Sequence, residues 1–255
     1  MKYLLAAATD VGISKETNQD AMLIKRALWG EQQIVLAVMC DGMGGLEKGE
    51  VASASVIKAF GKWFDDELPG ILSLQMSETP LLASWDKLVK EMNYKIGAYG
   101  SEHKIRLGTT CTAMLFLDDD YYITHVGDSR VYEIKDQIMQ LTKDQTLVQR
   151  EVDQGLLSPE EAENDLRRSV LLQCVGSSDY VEPVYLKGKI AKNAVYILCC
   201  DGFRHVINAA EMYKSLSPEL MVDEKVMENN IYELIRVIKE RGEQDNISAI
   251  TIRTW

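Results

Sequence analysis

Four times along this chain an apolar run of strand length meets an aspartate at its end. Asp41 closes IVLAVMCDGMGG, Asp128 closes YYITHVGDSR, Asp201 closes VYILCCDG, and Asp245 opens DNISAITI. Asp20, in TNQDAMLI, stands just before a further run. Carboxylates stay at the surface unless something offsets their charge. Several at strand ends, beside tight glycine or asparagine residues, predict one shared cationic centre. Hard divalent cations such as Mg2+ or Mn2+ prefer oxygen ligands of this kind.

A chain of 255 residues is enough for one large domain or two small ones. Its formal net charge of −11 argues against nucleic acid as a partner, which needs a basic face. The five cysteines form no CxxC pair, and most lie inside apolar strand-like runs. They are expected to be reduced thiols packed as small hydrophobes. The apolar stretch from Tyr3 to Ala8 is short for a signal peptide and fits a first strand better. No stretch approaches the roughly 20 apolar residues of a membrane span. A cytoplasmic protein with no membrane partner is expected.

Strands are predicted at Lys2 to Ala8, Ala21 to Leu28 and Ile34 to Cys40, with Trp29-Gly30-Glu31 as a hairpin turn. A helix should run from about Glu47 to Glu67, with Ala52, Val56, Phe60 and Trp63 on one face and Pro69-Gly70 as its stop. A second should run from about Thr79 to Tyr99, with Leu81, Trp85, Val89, Met92 and Ile96 in its stripe. Strands follow near Thr110 to Leu117, Tyr121 to Val126, Arg130 to Ile134 and Ile138 to Leu141. Asp118-Asp119-Asp120 reads as a solvated hairpin tip. Residues 143–168 are polar and helix-prone, broken at Gly155 and Ser158-Pro159, and read as a flap over the surface. Strands return near Val184 to Leu186 and Val195 to Cys200, then a helix around Pro218 to Lys239, then a strand from Ile247 to Arg253. This order favours α+β over alternating α/β.

Taken in sequence, TDVGISKETNQDA, VMCDGMGG, GTTCTAMLF, HVGDSRVY, the LTKD flap segment, LLQCVGSS, LCCDGF and DNISAITI resemble the metal-dependent protein phosphatases of type 2C, in their compact bacterial form. The resemblance spans Thr9 to Ile252. It implies a single catalytic domain over residues 1–255, an α+β fold with a central β-sandwich of two antiparallel sheets, and helices on both outer faces. It implies two Mn2+ or Mg2+ ions at one end of the sandwich, with a third, weaker one. By motif position, Asp41 would bridge both metals and Gly42 would lend its carbonyl. Asp201 and Asp245 would be further ligands, Asp20 a more distant one acting through water, and Asp128 a member of the third site. Gly108 and Thr109 would support the site structurally. The implied reaction is hydrolysis of phosphoserine and phosphothreonine by water held between the metals. The implied partners are phosphoproteins of a serine/threonine kinase, with the chain acting as a monomer.

Some positions depart from the family pattern. Lys15 stands where an arginine usually clasps the substrate phosphate, giving a point charge in place of a two-pronged donor. Met43 stands where animal relatives place a histidine acid, and it cannot donate a proton. Arg167 and Arg168 in the flap are candidate phosphopeptide contacts, while His125, in mid-strand, is expected to be structural. The rival expectation is a catalytically silent phosphatase fold serving as a regulatory or phosphoprotein-binding module.

Overall fold

The computed structural model of the chain describes residues 1–43, 48–73 and 79–255. Gly44, Gly45 and the expected helix start at Glu47 lie outside the described residues. Among the described residues, two antiparallel five-stranded sheets form. The first holds β1 (Tyr3–Asp10), β10 (Ile247–Thr254), β9 (Ala194–Cys199), β6 (Arg130–Ile134) and β7 (Ile138–Gln140), in that spatial order. The second holds β2 (Asp20–Trp29), β3 (Gln32–Asp41), β4 (Cys111–Leu117), β5 (Asp120–Val126) and β8 (Val184–Lys189).

β3 shows why its sequence is apolar without alternation. Ile34, Leu36, Val38 and Cys40 pack with residues of α1 (Gly49–Asp66) and α3 (Thr79–His103). Val35, Ala37 and Met39 point the other way, into a core shared with Tyr196, Leu198, Ile250 and Ile252 of the first sheet. A strand covered on both faces reads as a continuous apolar run. On the far side, Met227, Ile231, Leu234, Ile235 and Ile238 of α8 (Glu224–Glu240) recur at helical spacing and pack on Val195, Ile197, Cys199 and Ala249. Asp223 caps α8 by accepting from the Val226 backbone N–H. The result is the expected helix–sheet–sheet–helix sandwich.

The helices differ in detail from what the sequence pattern predicts. Pro69-Gly70 does not end helical structure: α1 stops at Asp66, and α2 (Leu68–Ser73) begins at once. Proline is tolerated in a first turn, where its missing N–H would have had no partner. α3 runs one turn past Tyr99, to His103. The last long helix starts at Glu224, six residues beyond Pro218. Besides α2, the short α6 (Asp201–Arg204) and α7 (Ala209–Leu216) form where no helix is expected, the latter opened by a capping box between Asn208 and Glu211. In the flap, α4 (Leu147–Asp153) and α5 (Pro159–Asn164) are capped by Thr146 and Ser158, with the break between them as expected.

Antiparallel pairing decides where the aspartates go. Asp20 and Asp41 are register partners across β2 and β3. Cys111, at the start of β4, pairs with Val126 at the end of β5, just before Asp128. Ala249 of β10 pairs with Cys199, two residues before Asp201. One end of the sandwich therefore collects all the strand termini that carry these carboxylates.

The packing of α1 on α3 centres on Trp85, fully buried with its ring centroid 5.5 Å from Trp63 and 5.9 Å from Phe60. Trp85→Ala is expected to destabilise the protein by about 3–5 kcal/mol, read as a lower denaturation midpoint. A shift below about 1 kcal/mol would show that this helix layer does not depend on that ring.

Candidate metal centre

Side chains alternate along a strand, so Asp41 shares the inward face with Val35, Ala37 and Met39. Asp20 likewise follows the parity of Met22 and Ile24, which border the same inter-sheet core. Donor atoms of Asp20, Asp41 and Cys200 lie within 4.8 Å of one another. The Asp41 backbone is clamped on both sides. Its N–H donates to Thr110 Oγ1 (2.9 Å), and its carbonyl accepts from the Thr110 N–H and Thr109 Oγ1 (2.9 Å each). The neighbouring Gly42 donates its N–H to the Gln19 carbonyl. A Cβ at Gly42 would sit 2.5 Å from the carbonyl oxygens of Gln19 and Gly49, so no other residue fits without moving the chain.

Asp201 opens α6 and is buried. His205, one turn on, places Nε2 3.4 Å from Asp201 Oδ2 and Nδ1 3.4 Å from Glu243 Oε2. Glu243 Oε1 in turn accepts from the Asp245 N–H at 3.0 Å. Asp245 therefore sits on a loop tied back to Asp201 through Glu243 and His205. The loop after β1 docks on the same segment. Asn246 Nδ2 donates to the carbonyls of Val11 and Thr17, and its Oδ1 accepts from the Gln19 N–H. Gly12 adopts φ +81° there, and a Cβ would lie 2.3 Å from the Asp245 carbonyl oxygen. This docking delivers Lys15, whose Nζ is 2.9 Å from Asp245 Oδ1.

Burial, followed by the fields of Asp20, Asp201, Asp128 and Asp245, drives the Asp41 carboxyl well above the usual carboxylate range. Burial likewise pushes Asp20 up to about 7, with Asp201 and Asp245 adding to the rise and Ser248 and Cys200 opposing it. Asp128 also rises to about 7, through burial first and Asp201 next. All five aspartates singled out in the sequence are thus close enough to feel one another. Asp20 Oδ2 accepts from Ser248 Oγ, while Oδ1 is buried with no hydrogen-bond partner. An orphaned buried oxygen among mutually repelling carboxylates fits a cation. Burial and the nearby aspartates hold the Cys200 thiol protonated, and it is already engaged with the Ser248 N–H and the Asn246 carbonyl. The available donors are therefore oxygens, which suits Mg2+ or Mn2+ over a thiolate-seeking metal.

The other predicted residues are dispersed. Arg167 is engaged by Glu151 and Asp165 within the flap. Arg168 lines a cavity of about 710 Å3 between the flap and α7, together with Thr146, Glu163, Arg204, His205 and Asn208. His125 is structural: its ring nitrogens lie 2.9 Å from Thr112 Oγ1 and 3.1 Å from the Lys143 carbonyl, and burial lowers it to about 4. Thr109 supports Asp41 as expected, and all five cysteines are free and buried. Asp144, Glu243, Asn246 and Ser248 are site residues that no sequence motif singles out individually. Asn246 and Ser248 lie inside the DNIS motif, so their closeness to Asp245 was the available signal.

An oxygen-donor centre for hard cations, at the mouth of a four-layer sandwich, is the class this geometry defines. The family model described as Protein phosphatase 2C matches residues 13–181, more than half of the chain, and the chain belongs to that family. It is 32% identical over 249 residues to the serine/threonine protein phosphatase PstP of Mycobacterium tuberculosis, covering 96% of this chain but only 44% of that relative. It is 28% identical over 254 residues to the protein phosphatase PhpP of Streptococcus pneumoniae, covering 97% of this chain and 96% of the relative. A crystal structure of the catalytic domain of PstP in complex with two manganese ions superposes with a TM-score of 0.78, at 30% identity and 99% coverage of both chains.

Asp20 and Asp128 lose their protons at about 7 in the folded chain, against 3.8 ordinarily. Between those values the folded state holds more protons than the unfolded one, so stability without metal falls as pH rises through that window. A bound cation would take the place of the Asp20 proton. Melting temperatures in EDTA and in excess Mn2+ should therefore diverge between about pH 4 and pH 7, with the EDTA curve falling. Asp20→Asn should raise the EDTA value at neutral pH and shrink the Mn2+ gain. Parallel curves across the window would show that no cation replaces the Asp20 proton.

Proposed function

We propose that this chain is a metal-dependent serine/threonine phosphoprotein phosphatase that hydrolyses phosphate monoesters with water as nucleophile and no covalent phosphoenzyme. The reading is carried by Asp20 and Asp41, set face to face across one ladder, with a buried oxygen left unpaired. A merely structural pair would have found partners. Asp41, Asp20, Asp201, Asp245 and the Gly42 carbonyl would hold two Mn2+ or Mg2+ ions. When bound, two such ions lower the pKa of a water between them and neutralise charge on the phosphate oxygens.

The chain's own residues do the positioning. Lys15, half-exposed and fixed by the loop that Asn246 holds, offers its ammonium to the phosphate as a point charge. Glu243 and His205 orient Asp201 in the manner of carboxylate–histidine pairs behind metal ligands. Arg168, in the flap wall of the neighbouring cavity, is placed to meet the peptide flanking the phosphoresidue. Arg167, already paired twice, supports the flap.

The substrates are phosphoproteins made by a serine/threonine kinase, and the chain acts as a monomer comprising one catalytic domain over residues 1–255. The cytoplasm fits five unpaired cysteines. No helix among the described residues is long and apolar enough to cross a membrane.

The test is Mn2+-dependent phosphate release from matched phosphoserine, phosphothreonine and phosphotyrosine peptides. Turnover of the first two, lost by at least about 100-fold in kcat in Asp41→Asn, is expected. Stable binding of intact phosphopeptide without turnover would make the chain a binding module instead. Lys15→Arg should lower KM with little change in kcat, since a planar fork grips phosphate better than a point charge. An unchanged or higher KM would remove Lys15 from the substrate site.

A further inference from the structure

We propose that Arg204 is the permanent counter-cation of Asp128, so that this aspartate is withdrawn from metal binding and the centre takes two ions and no third. The inference rests on the two-ion reading above, and it departs from what the family resemblance implies for Asp128.

Arg204 is the last residue of α6, the turn that Asp201 opens. Its guanidinium is almost wholly enclosed, at 11% side-chain exposure. Nη2 lies 3.7 Å from Asp128 Oδ2 and donates to the Asp128 carbonyl and to Asp144 Oδ2, both at 3.2 Å. The Asp144 side chain is itself largely enclosed, at 8% exposure, and accepts two bonds from Arg130, Nε and Nη2 each at 2.8 Å. Two guanidiniums and two carboxyls alternate in a row, Arg130, Asp144, Arg204, Asp128. Asp128 therefore has a fixed cation beside it inside the protein.

The contrast with the rest of the cluster is specific. Among the described residues, no ion pair reaches Asp20 or Asp41, and Asp245 is paired to a lysine on a half-exposed loop. Those carboxylates can exchange a proton or a mobile partner for a metal ion. Arg204 cannot leave in the same way. Two carboxylates and a carbonyl hold it, and its Nε–H is buried without a partner, a cost that only those contacts offset. A divalent ion on Asp128 would meet a fixed positive charge that burial leaves unscreened. Arg204 also fixes the base of the flap. Asp144 and Gln145 begin that excursion, and the Gln145 side chain accepts from the Gly127 N–H beside Asp128. Arg204 is thus a positioning residue that joins flap, α6 and metal centre through charge.

The experiment counts Mn2+ ions bound per chain by isothermal titration and by the spin-resonance signal of free Mn2+, up to millimolar concentration. Wild type and Asp128→Asn are both expected to bind two. Arg204→Met, which keeps the stem and removes the charge, should bind a third, and the double variant Arg204→Met with Asp128→Asn should return to two. Arg204→Lys, which restores a charge, should stay at two. Three ions in the wild type, with one lost in Asp128→Asn, would overturn the proposal while leaving the metal centre intact. A folded Arg204→Met that still binds only two would also overturn it, because the guanidinium would then not be what excludes the ion. If Arg204→Met does not fold, the wild type and Asp128→Asn decide alone: equal counts of two support the proposal, and a lost ion refutes it. No bound Mn2+ in the wild type would instead defeat the two-ion reading on which this one stands.

Discussion

Mutual repulsion among buried carboxylates is the constraint around which this end of the molecule is built. The β2–β3 register sets Asp20 opposite Asp41. The alternation that commits Val35, Ala37 and Met39 to the inter-sheet core also commits Asp41 to the same face. Neither carboxylate can turn outward without giving up that core, because a one-residue slip would exchange the two faces of β3. The charge must be met where it lies, by protons or by a cation. Core packing thus sets the demand for metal, and sheet register sets where the metal would be held.

Polar contacts behind the carboxylates make the arrangement stiff. Thr109 and Thr110 grip the Asp41 backbone from the start of β4. Asn246 fastens the loop between β1 and β2, and Glu243 with His205 links Asp245 to Asp201. Four segments far apart in sequence are therefore locked to one another by polar contacts that leave the carboxylate oxygens of Asp20 and Asp41 largely uncommitted. Held in this way, ligands need little reorganisation when an ion binds, which favours both affinity and a fixed geometry for the reaction.

Much of this was legible in the sequence for identifiable reasons. β3 announced itself because a doubly covered strand has no polar alternation, and the aspartate ending it was therefore conspicuous. His125 could be set aside because a lone histidine in mid-strand usually finds structural partners, as it does in Thr112 and Lys143. What stayed hidden was long-range. Nothing local in LTKD says that Asp144 will accept from both Arg130 and Arg204. Asp201 to Arg204 form too short a helix to leave a periodic signal, and α7 has only Met212 and Leu216 buried. Pro69 misled because proline stops a helix from within but is welcome in the first turn of the next. Charge pairing and short helices are decided by tertiary contact, which one-dimensional patterns do not carry.

The central claim is that the aspartates gather around paired cations, and anomalous diffraction at the manganese absorption edge from crystals grown with Mn2+ addresses it directly. The account predicts two anomalous peaks among Asp20, Asp41, Asp201 and Asp245, within coordinating distance of the Asp41 carboxylate. Peaks only at surface carboxylates such as Asp118 and Asp119, with none at this end of the sandwich, would contradict it.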